Sequence, residues 1–255
     1  MRIVFFGTGE FSTTVLKGLI DNGFNVVGVV SQPDKVNARN NKIVFSSIKK
    51  YCIENNLPLY QFERVSKQGE ETLKSLDADI FVTASYGQII RQNILDIPRF
   101  STYNVHGSLL PKYRGPAPIQ WAIMNGEKKT GITIMKTEAG IDCGEMYLQR
   151  EIPIESEDTS SSVFNKLSVL GVECIVEFLQ HFEEYKAKAI PQDESKMTYY
   201  PMIQKEDYLL TFDDCAFNIC NKIRALENCY FIYKGVRYKV LFAVPNERKG
   251  AVGEV

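Results

Sequence analysis

Three residues of types that serve acyl transfer lie in the middle of the chain. Asn104 and His106 are two positions apart at the predicted end of a strand, so their side chains point to the same face. Asp142 follows in a loop with Gly140 before it and Gly144 after it, which lets the backbone approach a ligand closely. An amide and an imidazole can donate hydrogen bonds to a developing oxyanion. A carboxylate can orient or charge the imidazole and accept the proton lost by an attacking amine. Together they predict acyl transfer to an amine.

Each of these residues also has a structural interpretation. A single histidine is more often a structural residue than a catalyst, and an Asp-x-Gly sequence often forms a turn. The shared face of Asn104 and His106, the Gly- and Pro-rich loop at 107–118 and the second loop at Asp142 favour the catalytic interpretation. Cys143 could serve as a nucleophile, but the sequence offers it no base partner, so we expect no covalent enzyme intermediate.

The bulk composition excludes several classes of protein. Lys and Arg number 30 against 31 Asp and Glu, so a site for a polyanion has to be a local patch. No apolar run approaches the length of a membrane span, and we expect no membrane association and a cytoplasmic location. The six cysteines form no CxxC pair, which is typical of free thiols in a reducing compartment. With two histidines in the chain, an all-histidine metal site is excluded, and we expect no metal.

The first half of the chain alternates short apolar runs with helical periodicity. This pattern predicts an α/β domain over residues 1–185, built on an open, twisted, mostly parallel Rossmann-like sheet. Open α/β sheets form their sites at the carboxyl ends of strands, where Asn104 and His106 are expected. Residues 186–203 are charged and contain two prolines, which predicts a linker. Residues 204–255 predict a helix and a hairpin, as in a small, incomplete, OB-like β domain.

Nucleotide-binding signatures are weak or absent. Gly7-Thr8-Gly9 follows the first predicted strand, but Ser12 stands where a dinucleotide fingerprint needs its third glycine. A tight strand-to-helix turn is therefore the favoured interpretation. No GxxxxGK[ST] phosphate loop occurs, so kinase and dehydrogenase chemistry lose their main support.

The segment that carries the histidine points to a known family. The run from Asn104 to Gly115 (NVHGSLLPKYRG), followed by APIQ at 117–120 and DCG at 142–144, resembles the 10-formyltetrahydrofolate-dependent formyltransferase family. Shorter matches are GTGEF at 7–11, QPDK at 32–35, YGQI at 86–89 and GITIM at 131–135. The resemblance covers roughly residues 1–227, and its central run is highly specific to this superfamily.

The resemblance implies roles for individual residues. It assigns catalysis to Asn104, His106 and Asp142, and it names 10-formyltetrahydrofolate as the co-substrate that donates the formyl group. The residues implied to contact the folate are Ser108, Leu109, Leu110 and Pro111, with Tyr86, Gly87, Gln88 and Ile89 closing the pterin pocket together with the Asp142 loop. Apolar side chains of these segments would form walls for a flat ring.

The sequence features that imply the amine acceptor are less specific than the run at 104–115. The stretches at 191–194, 198–201 and 205–207 resemble the linker of the family's tRNA-acting members, and NKIRAL at 221–226 resembles the start of their carboxyl-terminal domain. They imply the methionine amino group of initiator methionyl-tRNA as acceptor. Formyltransferases that act on sugar-nucleotide-linked amines share the same three catalytic residues and provide an alternative. A non-catalytic RNA-binding module that keeps the fold is another.

A basic cluster is the predicted contact for the tRNA. Lys35, Arg39 and Lys42 form the suggestive group near the site, although a solvated flexible loop explains them equally well. Three features depart from the tRNA-acting pattern: Gly9 replaces a proline, the loop at 36–42 differs in sequence, and a Pro-Trp-Pro-Gly segment is missing after Leu226. We expect the protein to be a monomer.

Overall fold

A computed structural model of the chain describes residues 1–36 and 41–246. Its strands are β1 (Arg2–Gly7), β2 (Asn25–Ser31), β3 (Lys35–Val36), β4 (Ile43–Val44), β5 (Leu59–Gln61), β6 (Ile80–Ala84), β7 (Thr102–His106), β8 (Lys129–Lys136), β9 (Met146–Pro153), β10 (Tyr230–Tyr233) and β11 (Val236–Lys239). Its α-helices are α1 (Glu10–Asp21), α2 (Ser47–Glu54), α3 (Val65–Gln68), α4 (Glu70–Ser75), α5 (Gln92–Leu95), α6 (Pro118–Met124), α7 (Ser160–Gln180), α8 (Phe182–Lys186) and α9 (Ala216–Leu226).

The centre of the protein is a seven-stranded sheet in the order β5-β2-β1-β6-β7-β8-β9. The five strands from β5 to β7 are parallel, and β8 and β9 continue the sheet in antiparallel register. Strands β1 and β6 are almost entirely buried, as expected for parallel strands with helices on both faces. The predicted α/β, mostly parallel sheet is confirmed.

Alternating residues of β1 belong to two separate hydrophobic cores. Ile3 and Phe5 belong to the core on the face covered by α1 and α7, whereas Val4 and Phe6 belong to the core on the face of α3 to α5. Successive side chains of a strand point to opposite faces, so a continuous apolar run can serve both cores. The sheet thereby becomes a rigid layer.

The strands that carry the candidate residues end side by side. In the pairing of β6 with β7, Thr83 is opposite Asn104. On the other side β8 pairs with β7, with Thr133 opposite His106. Asn104 and His106 therefore lie at the carboxyl ends of parallel strands, where sites of open α/β sheets are found.

The carboxyl-terminal part of the chain packs against the sheet domain. Helix α9 packs on α6, and β10 and β11 form an antiparallel hairpin. Just beyond α9, the carboxylate of Glu227 accepts hydrogen bonds from the backbone N–H of Ser161 and from the hydroxyls of Ser160 and Ser161. The carboxylate thus caps the first turn of α7. The boundaries predicted at 185 and 203 stay predictions.

Candidate active site

A cavity of about 940 Å³ opens at the carboxyl ends of β6 and β7. Its size suits a drug-sized organic ligand. All three predicted catalytic residues line it, together with residues from the loops at 85–90 and 115–120, the loop at 137–141 and the first turn of α7. Three apolar side chains at the cavity, Ile89, Ile141 and Met202, are more than half exposed to solvent. Such exposed apolar side chains around a cavity are typical of a ligand-binding site.

The carboxamide of Asn104 is oriented by a neighbouring strand. The hydroxyl of Thr83 on β6 donates a hydrogen bond of 2.9 Å to Asn104 Oδ1. With the oxygen bound in this way, the two N–H groups of the carboxamide remain as donors. Asn104 lines the cavity, and it can therefore donate to an oxygen atom of a ligand.

The imidazole of His106 is buried and held by a main-chain carbonyl. Its Nε2 lies 3.0 Å from the oxygen of Tyr113. A carbonyl oxygen only accepts, so Nε2 carries the proton and donates. Nδ1 is then the ring nitrogen left for chemistry, and it can donate only when the imidazole is protonated.

The carboxylate of Asp142 meets this free nitrogen. Asp142 Oδ1 lies 3.8 Å from His106 Nδ1, and Asp142 Oδ2 accepts a hydrogen bond of 2.9 Å from the backbone N–H of Gly115. The distance to Nδ1 is longer than a hydrogen bond but short enough for the carboxylate to stabilise an imidazolium. Catalytic hydrogen bonds often tighten only when a substrate is bound. The structure therefore brings the three predicted residues together around one cavity.

Gly115 owes its position to the absence of a side chain. Its φ is +112°, a conformation that non-glycine residues rarely adopt. A Cβ added here would also overlap the carbonyl oxygen of Tyr200. The residue can thus reach Asp142 with its N–H while the later segment passes directly behind it.

The loop at 86–89 forms one wall of the cavity. All four of its residues line the cavity, and the loop is held from behind by Gln32, whose side-chain amide donates to the carbonyl of Tyr86. The side-chain amide of Gln88 accepts a hydrogen bond from the N–H of Val65 and donates one to the carbonyl of Phe62. Ile89 is 80% exposed. The predicted folate contact of this loop is geometrically available through its backbone and Ile89, and it stays a prediction.

The segment at 108–111 carries the other four residues with an implied folate contact. Ser108, Leu109, Leu110 and Pro111 are not among the residues that line the cavity. Ser108 is buried and donates to the carbonyl of Lys112, and the N–H of Leu110 donates to Thr133. The Ser108 hydroxyl also approaches the carbonyl oxygen of Tyr113, which accepts the hydrogen bond of His106 Nε2. Its predicted contact with folate has no support from the cavity geometry and stays a prediction.

The two described members of the predicted basic cluster do not line the cavity. Lys35 begins β3 and Lys42 directly precedes β4, and both side chains are exposed. Arg39 lies outside the described residues. The tRNA contact of the three residues stays a prediction.

Within the described ranges, 1–36 and 41–246, no group of three or more His, Cys, Asp or Glu side chains is arranged to hold a metal ion. In the same ranges no helix is both long enough and apolar enough to cross a bilayer. All six cysteines are free, and burial raises the pKa of the Cys52 thiol to about 11 and that of the Cys174 thiol to about 12. Cys143, next to Asp142, does not line the cavity.

Comparison with known proteins identifies the family. The formyl transferase model matches residues 1–179, and the model of the formyl transferase C-terminal domain matches residues 202–255. The chain belongs to the formyl transferase family. Among curated relatives, this formyl transferase is 44% identical over 249 residues to the methionyl-tRNA formyltransferase of Trichormus variabilis, with 96% of this chain and 75% of that protein covered. It is 44% identical over 228 residues to the protein of the same name from Kosmotoga olearia, with 89% and 73% covered. The chain thus spans about three quarters of the length of these relatives.

Solved structures share the fold of this formyl transferase. A 4-N formyltransferase from Francisella tularensis matches with a TM-score of 0.73 at 18% identity and covers 97% of this chain and 98% of that chain. WlaRD, a sugar 3N-formyl transferase solved in the presence of dTDP and 5-N-formyl-THF, matches with a TM-score of 0.67 at 22% identity, covering 92% and 83%. At these identities the likeness establishes the fold and nothing finer.

Four features of the formyl transferase site were not predicted from the sequence: the hydroxyl of Thr83, the carbonyl of Tyr113, the N–H of Gly115 and the side chain of Gln192. The amide of Gln192 donates to the main-chain oxygens of Asp142 and Gly144. Two of the four are main-chain atoms, which carry no residue-type signal. For Thr83, a polar residue in the run IFVTA at 80–84 is the signal that could have found it.

The role of Thr83 can be tested by removing its hydroxyl alone. We expect Thr83→Val to lower kcat by about 10-fold, since Asn104 loses the bond that orients its donors but keeps the donors themselves. The matched control is Thr102→Val on β7, because the buried Thr102 hydroxyl has no partner among the described residues. Steady-state kinetics of both variants measure the effect. Equal kcat values for Thr83→Val and wild type would show that the Thr83 hydroxyl has no role in orienting Asn104.

Proposed function

We propose that this formyl transferase moves the formyl group of 10-formyltetrahydrofolate onto the methionine amino group of initiator methionyl-tRNA. The single observation that carries the proposal is the meeting of Asn104, His106 and Asp142 around one cavity. The acceptor rests on the relatives at 44% identity, which are named methionyl-tRNA formyltransferases.

The proposed donor suits the cavity in size and lining. About 940 Å³ is ample for a pterin and its formyl group beside an amine. The backbone of residues 86–89 offers polar groups for the ring edge, and Ile89 and Ile141 offer apolar surface for its faces. These contacts support a reduced folate as the donor.

The reaction needs one proton to move between two nitrogens. The acceptor amine attacks the formyl carbon, a new C–N bond forms, and the carbonyl oxygen becomes an oxyanion. Asn104 Nδ2 and protonated His106 Nδ1 donate to that oxygen, and Asp142 takes the proton that the amine loses. The bond from carbon to N10 of the folate then breaks, and N10 receives from Asp142, directly or through water, the proton that the amine lost. No oxidant, reductant or covalent enzyme intermediate is required.

The acceptor is tested by offering competing amines. We expect turnover of 10-formyltetrahydrofolate with initiator methionyl-tRNA and none with dTDP- or UDP-linked aminosugars. Turnover with the sugars alone would overturn the tRNA proposal and favour the sugar-nucleotide alternative. Folate binding without turnover of any amine would favour the non-catalytic RNA-binding module.

The setting of the reaction is also a proposal. Six free thiols are typical of a reducing compartment, which supports a cytoplasmic location. The monomeric state stays a prediction, and size-exclusion chromatography with light scattering measures it directly.

A further inference from the structure

The side chain of Gln192, in the segment between α8 and α9, contacts two loops. One contains Arg114 and the other contains Asp142 and Gly144. Gln192 Nε2 donates hydrogen bonds of 2.8 Å to the main-chain oxygens of Asp142 and of Gly144. Its Oε1 accepts from Nε and Nη2 of Arg114, at 3.0 and 2.8 Å. Because guanidinium nitrogens only donate and carbonyl oxygens only accept, this environment fixes the orientation of the carboxamide.

The bonds of Gln192 close a ring around Asp142. The ring runs from Asp142 O through the Gln192 carboxamide to the Arg114 side chain, and along the chain to Gly115. The Gly115 N–H then returns to Asp142 Oδ2. The main chain of Asp142 is thus held from one side and its carboxylate from the other. Asp142 has a φ of +46°, an uncommon conformation that needs such support.

Thr198, in the same segment, contacts the loop that supports His106. Thr198 accepts from Arg114 N with its main-chain oxygen and from Tyr113 N with its hydroxyl, both at 2.9 Å. The carbonyl of Tyr113 in turn accepts from His106 Nε2. Gln192 and Thr198 therefore support the loops that fix the Asp142 carboxylate and the His106 imidazole relative to each other.

We propose that Gln192 is a positioning residue of the formyl transfer reaction, which sets the place of the Asp142 carboxylate opposite His106 Nδ1. The proposal rests on the proposed function for the identity of the reaction, and the geometry itself is independent of the acceptor. Arg114 is buried, and its guanidinium also pairs with Glu194, whose side chain is not bonded to Asp142 or Gly144. A residue that only anchored this segment to Arg114 would not require the hydrogen bonds to the carbonyls of Asp142 and Gly144.

The central test removes the two donor bonds of Gln192 in the full chain. We expect Gln192→Ala to lower kcat by 10- to 10²-fold, because small misplacements of catalytic groups are costly, while KM for both substrates stays within about 2-fold. Gln192→Glu keeps the partner of Arg114 but cannot donate to Asp142 or Gly144, so we expect the same loss. Glu194→Gln weakens the Arg114 pair and leaves both donor bonds, so we expect it to keep wild-type kcat.

Three results would overturn the proposal. Wild-type kcat in Gln192→Glu would mean that the two carbonyl bonds are irrelevant. A lower melting temperature in Gln192→Ala with unchanged kcat would show that Gln192 serves stability alone. An equal loss in Glu194→Gln would transfer the effect to the Arg114 ion pair. The ratio of variant to wild type can be taken with whichever amine the wild type formylates, so failure of the tRNA assignment is seen separately.

A spectroscopic readout decides the point without turnover. The chain has two histidines, so the imidazole ¹⁵N resonances of His106 and of the exposed His181 are readily assigned with His181→Gln. We expect Gln192→Ala and Gln192→Glu to shift the His106 resonances and to leave those of His181 in place. Unchanged His106 resonances in both variants would contradict the proposal even if no acceptor were turned over.

Discussion

Asp142→Asn is expected to lower kcat by on the order of 10²- to 10⁴-fold, the range by which a positioned acid or base accelerates proton transfer. Asparagine has the shape of aspartate, and its Oδ1 can still accept the hydrogen bond of Gly115. The fold and the loop should therefore survive. Two things are lost: the negative charge 3.8 Å from His106 Nδ1 and the acceptor for the proton of the amine. Single-turnover kinetics with saturating folate measure the chemical step.

The control for this variant is Asp96→Asn, which neutralises an exposed carboxylate at the end of α5 that does not line the cavity. We expect Asp96→Asn to behave as wild type. If Asp142→Asn also kept its rate, the carboxylate would have no part in the proton transfer, and the three-residue site would reduce to Asn104 and His106.

His106→Ala carries the second large effect. We expect a loss in kcat of on the order of 10² to 10³, the range found when one donor to an oxyanion is removed. His181→Ala is the matched control, because His181 is exposed at the end of α7. Circular dichroism and the melting temperature should show that the fold is kept, since the space left by the imidazole borders an open cavity. A loss of equal size in His181→Ala would show that the effect is not specific to the site.

The double variant tests whether His106 and Asp142 act as a unit. The effects of residues that act as a unit are strongly non-additive, so the double variant should be little slower than the slower single one if Asp142 stabilises the imidazolium of His106. Multiplicative losses would mean that the carboxylate and the imidazole serve separate steps.

Much of this site could be predicted because its signals are local. Asn104 and His106 are two positions apart, and a strand turns that spacing directly into a shared face. Buried runs such as Ile80–Ala84 likewise indicated parallel strands. The segment at 108–111 shows the limit of such reasoning. Leu110 is buried and its N–H donates to Thr133 of β8, a contact that leaves no signal in sequence order, and the folate contact of the segment stays a prediction.

The remaining features depend on contacts between distant parts of the chain. Gln192 is 50 positions from Asp142 and lies in an exposed, charged segment that composition marks as a linker. Only the folded backbone shows that this segment returns to the catalytic loops. The Tyr113 carbonyl is a main-chain atom, and any residue type would supply it.

Residues 192–198 contact the loops at 113–115 and 142–144. The part of the chain after the predicted boundary at 185 therefore contributes to the active site of the part before it. A protein cut there would keep the whole seven-stranded sheet and all three predicted catalytic side chains. It would lose Gln192 and Thr198, which support the loops around Asp142 and His106. The smallest piece of this chain able to work as an enzyme should therefore extend past Thr198.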